Sequence, residues 1–309
     1  MMSRRYGQRY SGLLLLLLLC LVVAQAAPSG WWRWQNPRPQ GNPIYAIAFS
    51  NAAQGLAVGR DGTILRTDNG GANWRTVRPT LPTPLYGLSV QGRRAWAVGA
   101  RGVVLASRDG GESWVELKSG TKQHLYAVRF VNEKRGWAVG VEGSVITTAD
   151  GGATWTKQES KTNRHLYAVA FADERRGVAV GADGVLLTTA DGGANWETRA
   201  ATNARNLLAA WASPEGKFWV AGLEGVILYS GNGGVEWGRQ NSNSSSNFHA
   251  ISFIDEARGW AVGADGVILR TTDSGATWSA QISNSAQLLN ALGAEQSHGI
   301  VSRSRLAAS

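Results

Sequence analysis

Tryptophan recurs along this chain at an almost constant spacing. Successive copies lie 40 or 41 residues apart, and the sequence between them returns with modest variation. A repeat of this length predicts one supersecondary unit that is used many times over. The repeating tryptophans are Trp34, Trp74, Trp114, Trp155, Trp196, Trp237 and Trp278.

Each repeat contains four strand-like segments and lacks helical periodicity. β-Branched and aromatic residues alternate with small ones and are punctuated by Gly or Asp, which is typical of half-buried antiparallel strands. A pair of glycines, such as Gly181 and Gly184, frames a predicted two-residue hairpin between the second and third segments, because glycine adopts positive φ at little cost. In one repeat the four segments are 166–171, 177–181, 185–189 and 196–199.

Four strands per repeat predict an all-β fold, a seven-bladed β-propeller of four-stranded antiparallel blades. Six complete units can be counted, and the seventh is expected to be divided between the chain termini. Residues 288–294 and 299–301 resemble its first two strands, and residues 31–35 resemble its fourth. Pairing the N- and C-terminal strands would close the last blade and leave no long exposed edge. The third strand is poorly matched, because 302–309 lacks the glycine turn.

The first residues have the pattern of a secretory signal peptide. A basic start is followed by an apolar run over 13–23 and by the small residues Ala24 and Ala26. We therefore predict a signal peptide at 1–26 and a single propeller domain at 27–309. The apolar run is shorter than the roughly 20 residues that cross a bilayer, although an uncleaved anchor is an alternative. The expected location is exported, in the periplasm.

The composition is basic and almost free of cysteine. Lys and Arg number 31 against 22 Asp and Glu, which gives a formal net charge of +9. Such a charge favours acidic proteins, anionic lipid headgroups or nucleic acid, and export argues against nucleic acid. The only cysteine, Cys20, lies in the predicted leader, so the mature chain would have no disulfide, thiolate metal site or cysteine nucleophile.

A Ser/Thr-x-Asp-x-Gly-x-x-Trp pattern ends at most of the repeating tryptophans and resembles the Asp-box. We predict a structural turn in which the carboxylate accepts amide hydrogen bonds and the tryptophan is buried, for about 4–6 kcal/mol gross. Asn69 and Asn232 replace the aspartate in two copies, which favours a structural over a catalytic role. The predicted structural residues are Asp109, Asp150, Asp191 and Asp273, with Trp74, Trp114, Trp155, Trp196, Trp237 and Trp278.

The Asp-box also occurs in sialidases, so a glycan-binding or glycan-cleaving propeller is the alternative function. A sialidase needs an arginine cluster, a tyrosine nucleophile and a carboxylate in one pocket. Tyrosines occupy one equivalent repeat position, however, which indicates packing, and no blade carries a distinctive acid and base pair. No catalytic residue is predicted. The equivalent tyrosines are Tyr45, Tyr86, Tyr126 and Tyr167.

Metal binding is disfavoured by the placement of the candidate ligands. His124 and His165 occupy equivalent positions without a nearby carboxylate. Asp183, Glu224 and Asp265 stand singly in separate repeats, whereas calcium takes six to eight clustered oxygens. No metal and no cofactor are predicted.

The Gly-Trp-Ala-Val-Gly string at 136–140, together with the Asp-box, resembles the photosystem II stability and assembly factors of cyanobacteria and plastids. The resemblance covers about 31–278. It implies a non-enzymatic propeller that binds a membrane-protein subunit or precursor on the exported side and assists assembly or stability of a membrane complex. In a photosynthetic host the resemblance implies a location in the thylakoid lumen, but family members also occur in bacteria without photosynthesis. We expect a monomer, with peripheral contact to anionic membrane as a further possibility.

The resemblance also implies a basic surface that holds the client. Cations recur in the loops between first and second strands, so we expect them to form an arc on the face that carries the Asp-box turns, where arginine can bind carboxylates bidentately. The cations proposed to bind the client are Arg93, Arg94, Lys134, Arg135, Arg175, Arg176 and Arg258.

Two alternatives to this arc remain open. The first is local pairing of the same arginines with nearby glutamates, which would contribute only about 0–1 kcal/mol per exposed pair. The second is client binding on the opposite face, through cations in the loops that join the blades. The local pairs would be Arg135, Arg176 and Arg258 with Glu133, Glu174 and Glu256; the cations of the opposite face are Lys122, Lys161, Arg164 and Arg205.

Overall fold

The computed structural model describes residues 42–77, 81–199, 205–282, 289–295 and 298–303, and in the last two ranges only the side chain of Leu289. This part of the chain forms six four-stranded antiparallel sheets and one two-stranded hairpin. Within each four-stranded sheet, neighbouring strands follow one another in sequence. We number these sheets blades 1 to 6 in chain order.

The strand bounds repeat closely from blade to blade. Blades 1 to 3 comprise β1 (Ile44–Phe49), β2 (Gly55–Gly59), β3 (Ile64–Thr67), β4 (Arg75–Val77), β5 (Leu85–Gln91), β6 (Arg94–Gly99), β7 (Val104–Ser107), β8 (Val115–Leu117), β9 (Leu125–Phe130), β10 (Gly136–Gly140), β11 (Val145–Thr148) and β12 (Thr156–Gln158). Blades 4 to 6 comprise β13 (Leu166–Phe171), β14 (Gly177–Gly181), β15 (Leu186–Thr189), β16 (Glu197–Arg199), β17 (Leu207–Ala212), β18 (Phe218–Gly222), β19 (Ile227–Ser230), β20 (Gly238–Gln240), β21 (Phe248–Phe253), β22 (Gly259–Gly263), β23 (Ile268–Thr271) and β24 (Ser279–Ala280). The hairpin is β25 (Leu289–Glu295) and β26 (His298–Arg303).

The prediction of seven four-stranded blades is wrong, because the described residues form six. In the described residues the last unit consists of β25 and β26. After β26 the sequence contains neither a glycine-framed turn nor an Asp-box, the two features that produce the third and fourth strands elsewhere. The expected strand at 31–35 and the residues after Arg303 lie outside the described part of the chain.

The first strands of the blades, together with β25, form an inner ring. Each of these strands contacts the first strand of the next blade, and β25 contacts both β21 and β1. We call β1, β5, β9, β13, β17, β21 and β25 the inner strands. As in other propellers, they surround a central channel.

The hydrophobic core lies between adjacent blades. Trp96 of blade 2 stacks on Phe130 of blade 3 at 3.6 Å between ring centres and 7° between planes, and Phe130 meets Trp155 edge-on at 5.9 Å. The indole Nε1 of Trp96 donates to the carbonyl of Gly151, in the Asp-box turn of blade 3, at 2.9 Å. A second-strand tryptophan therefore links its blade to the next one.

The same link occurs between two other pairs of blades. Trp137 stacks on Phe171 at 3.5 Å and donates to the Gly192 carbonyl at 2.8 Å. Trp219 packs on Phe253 at 4.4 Å and donates to the Ser274 carbonyl at 2.9 Å.

Blades 1 and 2 lack this aromatic link. Leu56 stands where the tryptophan would be and Val90 stands where the phenylalanine would be. A small cleft opens there, lined in part by these two residues and Arg94.

The turns between second and third strands confirm the predicted hairpin. In blade 3, Glu142 and Gly143 have φ of 53° and 68°, as in a type I′ turn. The first glycine of the frame is needed for a different reason. Gly140 is extended, and a Cβ there would lie 1.9 Å from the carbonyl oxygen of His124.

No helix in the described residues is long and apolar enough to span a membrane.

Candidate functional site

The Asp-box carboxylates are bonded within their own turns. Asp150 accepts from the Thr148 hydroxyl at 2.8 Å, and from the Thr154 backbone N–H and hydroxyl at 2.9 and 2.6 Å. The hydrogen bonds from Thr154, followed by the weaker one from Thr148, lower the pKa of Asp150 to about 2. The carboxylate is thus held in its charged form by the turn that it organises.

The asparagine copies reproduce this geometry without the charge. Asn69 Oδ1 accepts from the Asn73 backbone N–H at 2.8 Å, and Asn232 Oδ1 accepts from the Glu236 backbone N–H at 2.9 Å. The turn therefore needs an oxygen acceptor at this position rather than a titratable acid.

The Asp-box tryptophans are largely inaccessible to solvent. Trp74, Trp114, Trp196 and Trp278 are buried, and Trp155 and Trp237 are half-buried. These indoles pack against the phenylalanines and aliphatic side chains between blades.

Backbone hydrogen bonds hold the first-to-second-strand loops against the Asp-box turns. The N–H groups of Gly110, Gly151 and Gly192 donate to the carbonyls of Arg93, Lys134 and Arg175 at 2.8, 2.9 and 2.8 Å. The two sets of loops therefore lie side by side, and we call this side the Asp-box face.

The cations of the Asp-box face occupy two positions in the loop. The first position holds Arg93, Lys134 and Arg175 in blades 2, 3 and 4, and all three side chains are exposed. Among the described residues, none of the three has a carboxylate within ion-pair distance; Arg175 donates only to the Ala190 carbonyl at 3.3 Å. These charges are available to an external partner.

The second position is the next residue in the loop, and its side chains extend to the next blade. Arg94 Nε lies 3.1 Å from the Glu133 carboxylate, and its NH1 donates to the Glu133 carbonyl at 3.2 Å. Arg176 donates to the carbonyls of Glu215 and Pro214 at 2.9 and 3.2 Å.

Two further second-position cations follow the same course across the blade boundary. Arg135 donates weakly to the Gly192 carbonyl at 3.4 Å and lies 5.0 Å from the centre of the Trp137 ring. Lys217, which the sequence analysis missed, pairs with Glu256 of blade 6. The sequence could have indicated this residue, because Lys217 occupies the same position in the repeat as Arg94 and Arg176.

Local pairing is confirmed for two of the three arginines, but their partners are aspartates rather than the predicted glutamates. Arg176 and Arg258 pair with Asp173 and Asp255, three residues earlier, at 2.7 and 2.6 Å. The predicted partner Glu256 instead pairs with Lys217 of the preceding blade. The aspartates also accept the loop N–H groups, so they organise the loop and its arginine together.

On the opposite face, the cations in the blade-joining loops are partly neutralised. Arg164 pairs with Asp183 at 2.6 Å, and Arg205 pairs with Glu224 at 2.8 Å. Lys122 and Lys161 are exposed.

The histidines of this face accept hydrogen bonds from the turns between second and third strands. Nδ1 of His124 accepts from the Arg101 N–H at 3.2 Å, and Nδ1 of His165 accepts from the Glu142 N–H at 3.1 Å. Asn206 supplies the same acceptor at 3.0 Å in the next repeat. Within the described residues, no three His, Cys, Asp or Glu side chains are grouped as a metal site would need.

Comparison with known proteins identifies relatives. A sequence profile described as "Photosynthesis system II assembly factor YCF48" matches residues 24–123, 114–166 and 155–305. A structure titled "YCF48 bound to D1 peptide" is 22% identical with a TM-score of 0.73, and covers 90% of this chain and 97% of that chain. YCF48 from Cyanidioschyzon merolae is 21% identical with a TM-score of 0.73, covering 89% and 96%.

More distant propellers match as well. The WD40 β-propeller domain of Doa1 is 12% identical with a TM-score of 0.69, and covers 87% of this chain and 92% of that chain. At these identities the solved structures show the fold alone. No curated protein matches the sequence.

Proposed function

Because this chain belongs to the photosynthesis system II assembly factor YCF48 family, we propose that it is an exported, non-enzymatic propeller that binds a membrane-protein subunit or its precursor. In this role it assists assembly or stability of a membrane complex. The structure of YCF48 with a D1 peptide supports a polypeptide client. Residues 1–26 act as the export signal in this proposal, and the remaining chain is the propeller.

The first-position cations carry this proposal. Arg93, Lys134 and Arg175 lie on three successive blades, exposed and without carboxylate partners among the described residues. Arginine and lysine in such a row suit a chain with several acidic groups, and arginine can bind a carboxylate through two parallel hydrogen bonds.

The second-position cations have a supporting part. Arg94, Arg135 and Arg176 fix the loops by binding the next blade, and Arg258 is held by Asp255. They add positive potential to the face while keeping the first-position side chains in line. Of the seven cations predicted from sequence, the first-position three are therefore assigned direct contact.

Charge reversal tests this assignment. The triple variant R93E/K134E/R175E should fold normally, because none of these side chains has an ion-pair partner among the described residues. It should lose salt-sensitive capture of the client from native membranes. The matched control is K118E/K122E/K161E, whose exposed lysines lie on or next to the opposite face and give the same change in net charge. Undiminished capture by the first variant, or equal loss in both, would refute binding by the Asp-box face.

A further inference from the structure

Arg129 is a charged side chain on an inner strand. Its neighbours in β9, Val128 and Phe130, are buried between blades, whereas Arg129 is exposed to solvent. Desolvation by the surrounding protein nevertheless lowers the pKa of its guanidinium. Because β9 lies between β5 and β13 in the inner ring, an exposed side chain on this strand faces the central channel.

The guanidinium of Arg129 has no partner in the described part of the chain. Among the residues whose side chains are described, none makes a hydrogen bond, ion pair or ring contact with it, although Trp137 is its cross-strand neighbour in β10. The contrast with the second-position arginines is sharp, since each of those is held by a carbonyl or carboxylate.

The inner strands whose side chains are described carry no second charge beside Arg129. In β1, β5, β9, β13, β17 and β21, whose side chains are described, Arg129 is the only Lys, Arg, Asp or Glu residue. The equivalent positions in the other five strands hold small side chains, except for one tryptophan. These residues are Ala48, Ser89, Ala170, Trp211 and Ser252.

We propose that the central channel binds a small oxyanion, a carboxylate, sulfate or phosphate group, on the guanidinium of Arg129. Arginine presents a planar fork of N–H donors that matches such groups and stays charged at neutral pH. Low-dielectric walls focus the field of a charge and strengthen its attraction for a counter-ion. An arginine without a polar partner among the described residues keeps its N–H donors available to such a group.

Sulfate is the probe for this site, titrated against sodium chloride of equal ionic strength. Wild-type protein should bind it saturably by calorimetry, and R129Q should bind at least about tenfold more weakly. The control R239Q removes an exposed arginine from the outermost strand of blade 5 and should bind as the wild type does. R129Q should also melt no lower than the wild type, because no hydrogen bond or ion pair of the described residues is lost.

A crystal soaked in selenate locates the ion. We expect an anomalous selenium peak next to the Arg129 guanidinium. Equal sulfate affinity in R129Q and wild type, no saturable binding at all, or a selenate peak only elsewhere would each overturn the proposal.

The oxyanion could be a free ion or an acidic group of a bound protein, and competition separates the two sources. If a client's acidic group occupies the channel, sulfate should reduce client capture by the wild type and R129Q should capture poorly. If the ion is free, capture should be the same in both. Either result is consistent with the site, which sulfate binding tests without any client.

Discussion

At the scale of single residues, the Asp-box aspartates are fixed by hydrogen bonds rather than placed for chemistry. Burial alone would raise the pKa of Asp109, but hydrogen bonds from Ser113 and Ser107 outweigh it and lower the value to about 2. Asp150 reaches about the same value through Thr154. Asparagine in two other blades keeps the acceptor geometry, which explains why the turn tolerates it.

Because these pKa values are lowered in the folded state, the free energy of unfolding depends on pH in the acidic range. Between roughly pH 4 and pH 2, the unfolded aspartates bind protons that the folded ones do not, so the free energy of unfolding falls as the pH falls. Above this window, the contribution is fully present. In urea titrations over the same pH range, the double variant D109N/D150N should lose less free energy of unfolding than the wild type does. A pH dependence as steep as that of the wild type would contradict this role of the two aspartates.

Removing the acceptor should cost more than removing the charge. We expect Asp150→Ala to lower the free energy of unfolding at pH 7 by about 1–2 kcal/mol, since exposure weakens hydrogen bonds to the carboxylate. Asp150→Asn should cost less than half of that. Chemical denaturation measures both, and equal losses would show that charge, not geometry, is needed.

The blade-joining histidines make a second prediction at this scale. His165→Asn should be nearly neutral because Asn206 supplies the same acceptor in the next blade. His165→Ala leaves the Glu142 N–H without its partner and should cost about 1 kcal/mol. If thermal unfolding cannot separate the two variants, the turn-holding role is wrong.

At the scale of elements, the contact between blades depends on one tryptophan in the second strand. Trp137 is fully buried, stacks on Phe171 and donates to the Gly192 carbonyl. The sequence places this tryptophan in a strand, but its partners are about 34 and 55 residues away, in the next blade. Local pattern cannot identify such partners, since they exist only after two blades pack.

Substitution separates the stack from the hydrogen bond. Trp137→Ala should lower the free energy of unfolding by about 3–5 kcal/mol through lost packing. Trp137→Phe keeps a ring and loses the indole donor, for about 1 kcal/mol. Denaturant midpoints at constant m-value test the difference, and a cost for Phe as large as that for Ala would make the hydrogen bond the main term.

At the interface of blades 1 and 2, an aromatic stack can be added where other interfaces have one. Installing both missing aromatics, L56W/V90F, should form the stack found between blades 2 and 3 and raise the melting temperature. Leu56→Trp alone should raise it less, because the facing phenylalanine is absent. A double variant less stable than the single one would show that the backbones of this interface are spaced differently.

At the scale of the whole molecule, the repeat predicts much of the architecture and less of the site. Four strands per unit, the type I′ turns and the side-by-side placement of loops and Asp-box turns follow from local pattern. The seven-blade count is wrong for the described residues, whose last unit has two strands, and the sequence from 302 to 309 offers no glycine-framed turn for a third. The partners of Arg94 and Lys217, and the isolation of Arg129, depend on neighbouring blades and the closed inner ring, which no single repeat encodes.

The most direct test of client binding by the Asp-box face is site-specific photocrosslinking in native membranes. A photoreactive residue at position 134 should form an adduct with one membrane protein, identified by mass spectrometry, and the adduct should weaken with salt. The same residue at position 122, on the opposite face, should form none. Adducts from position 122 alone, or retained binding to a glycan array with no protein adduct, would contradict the account.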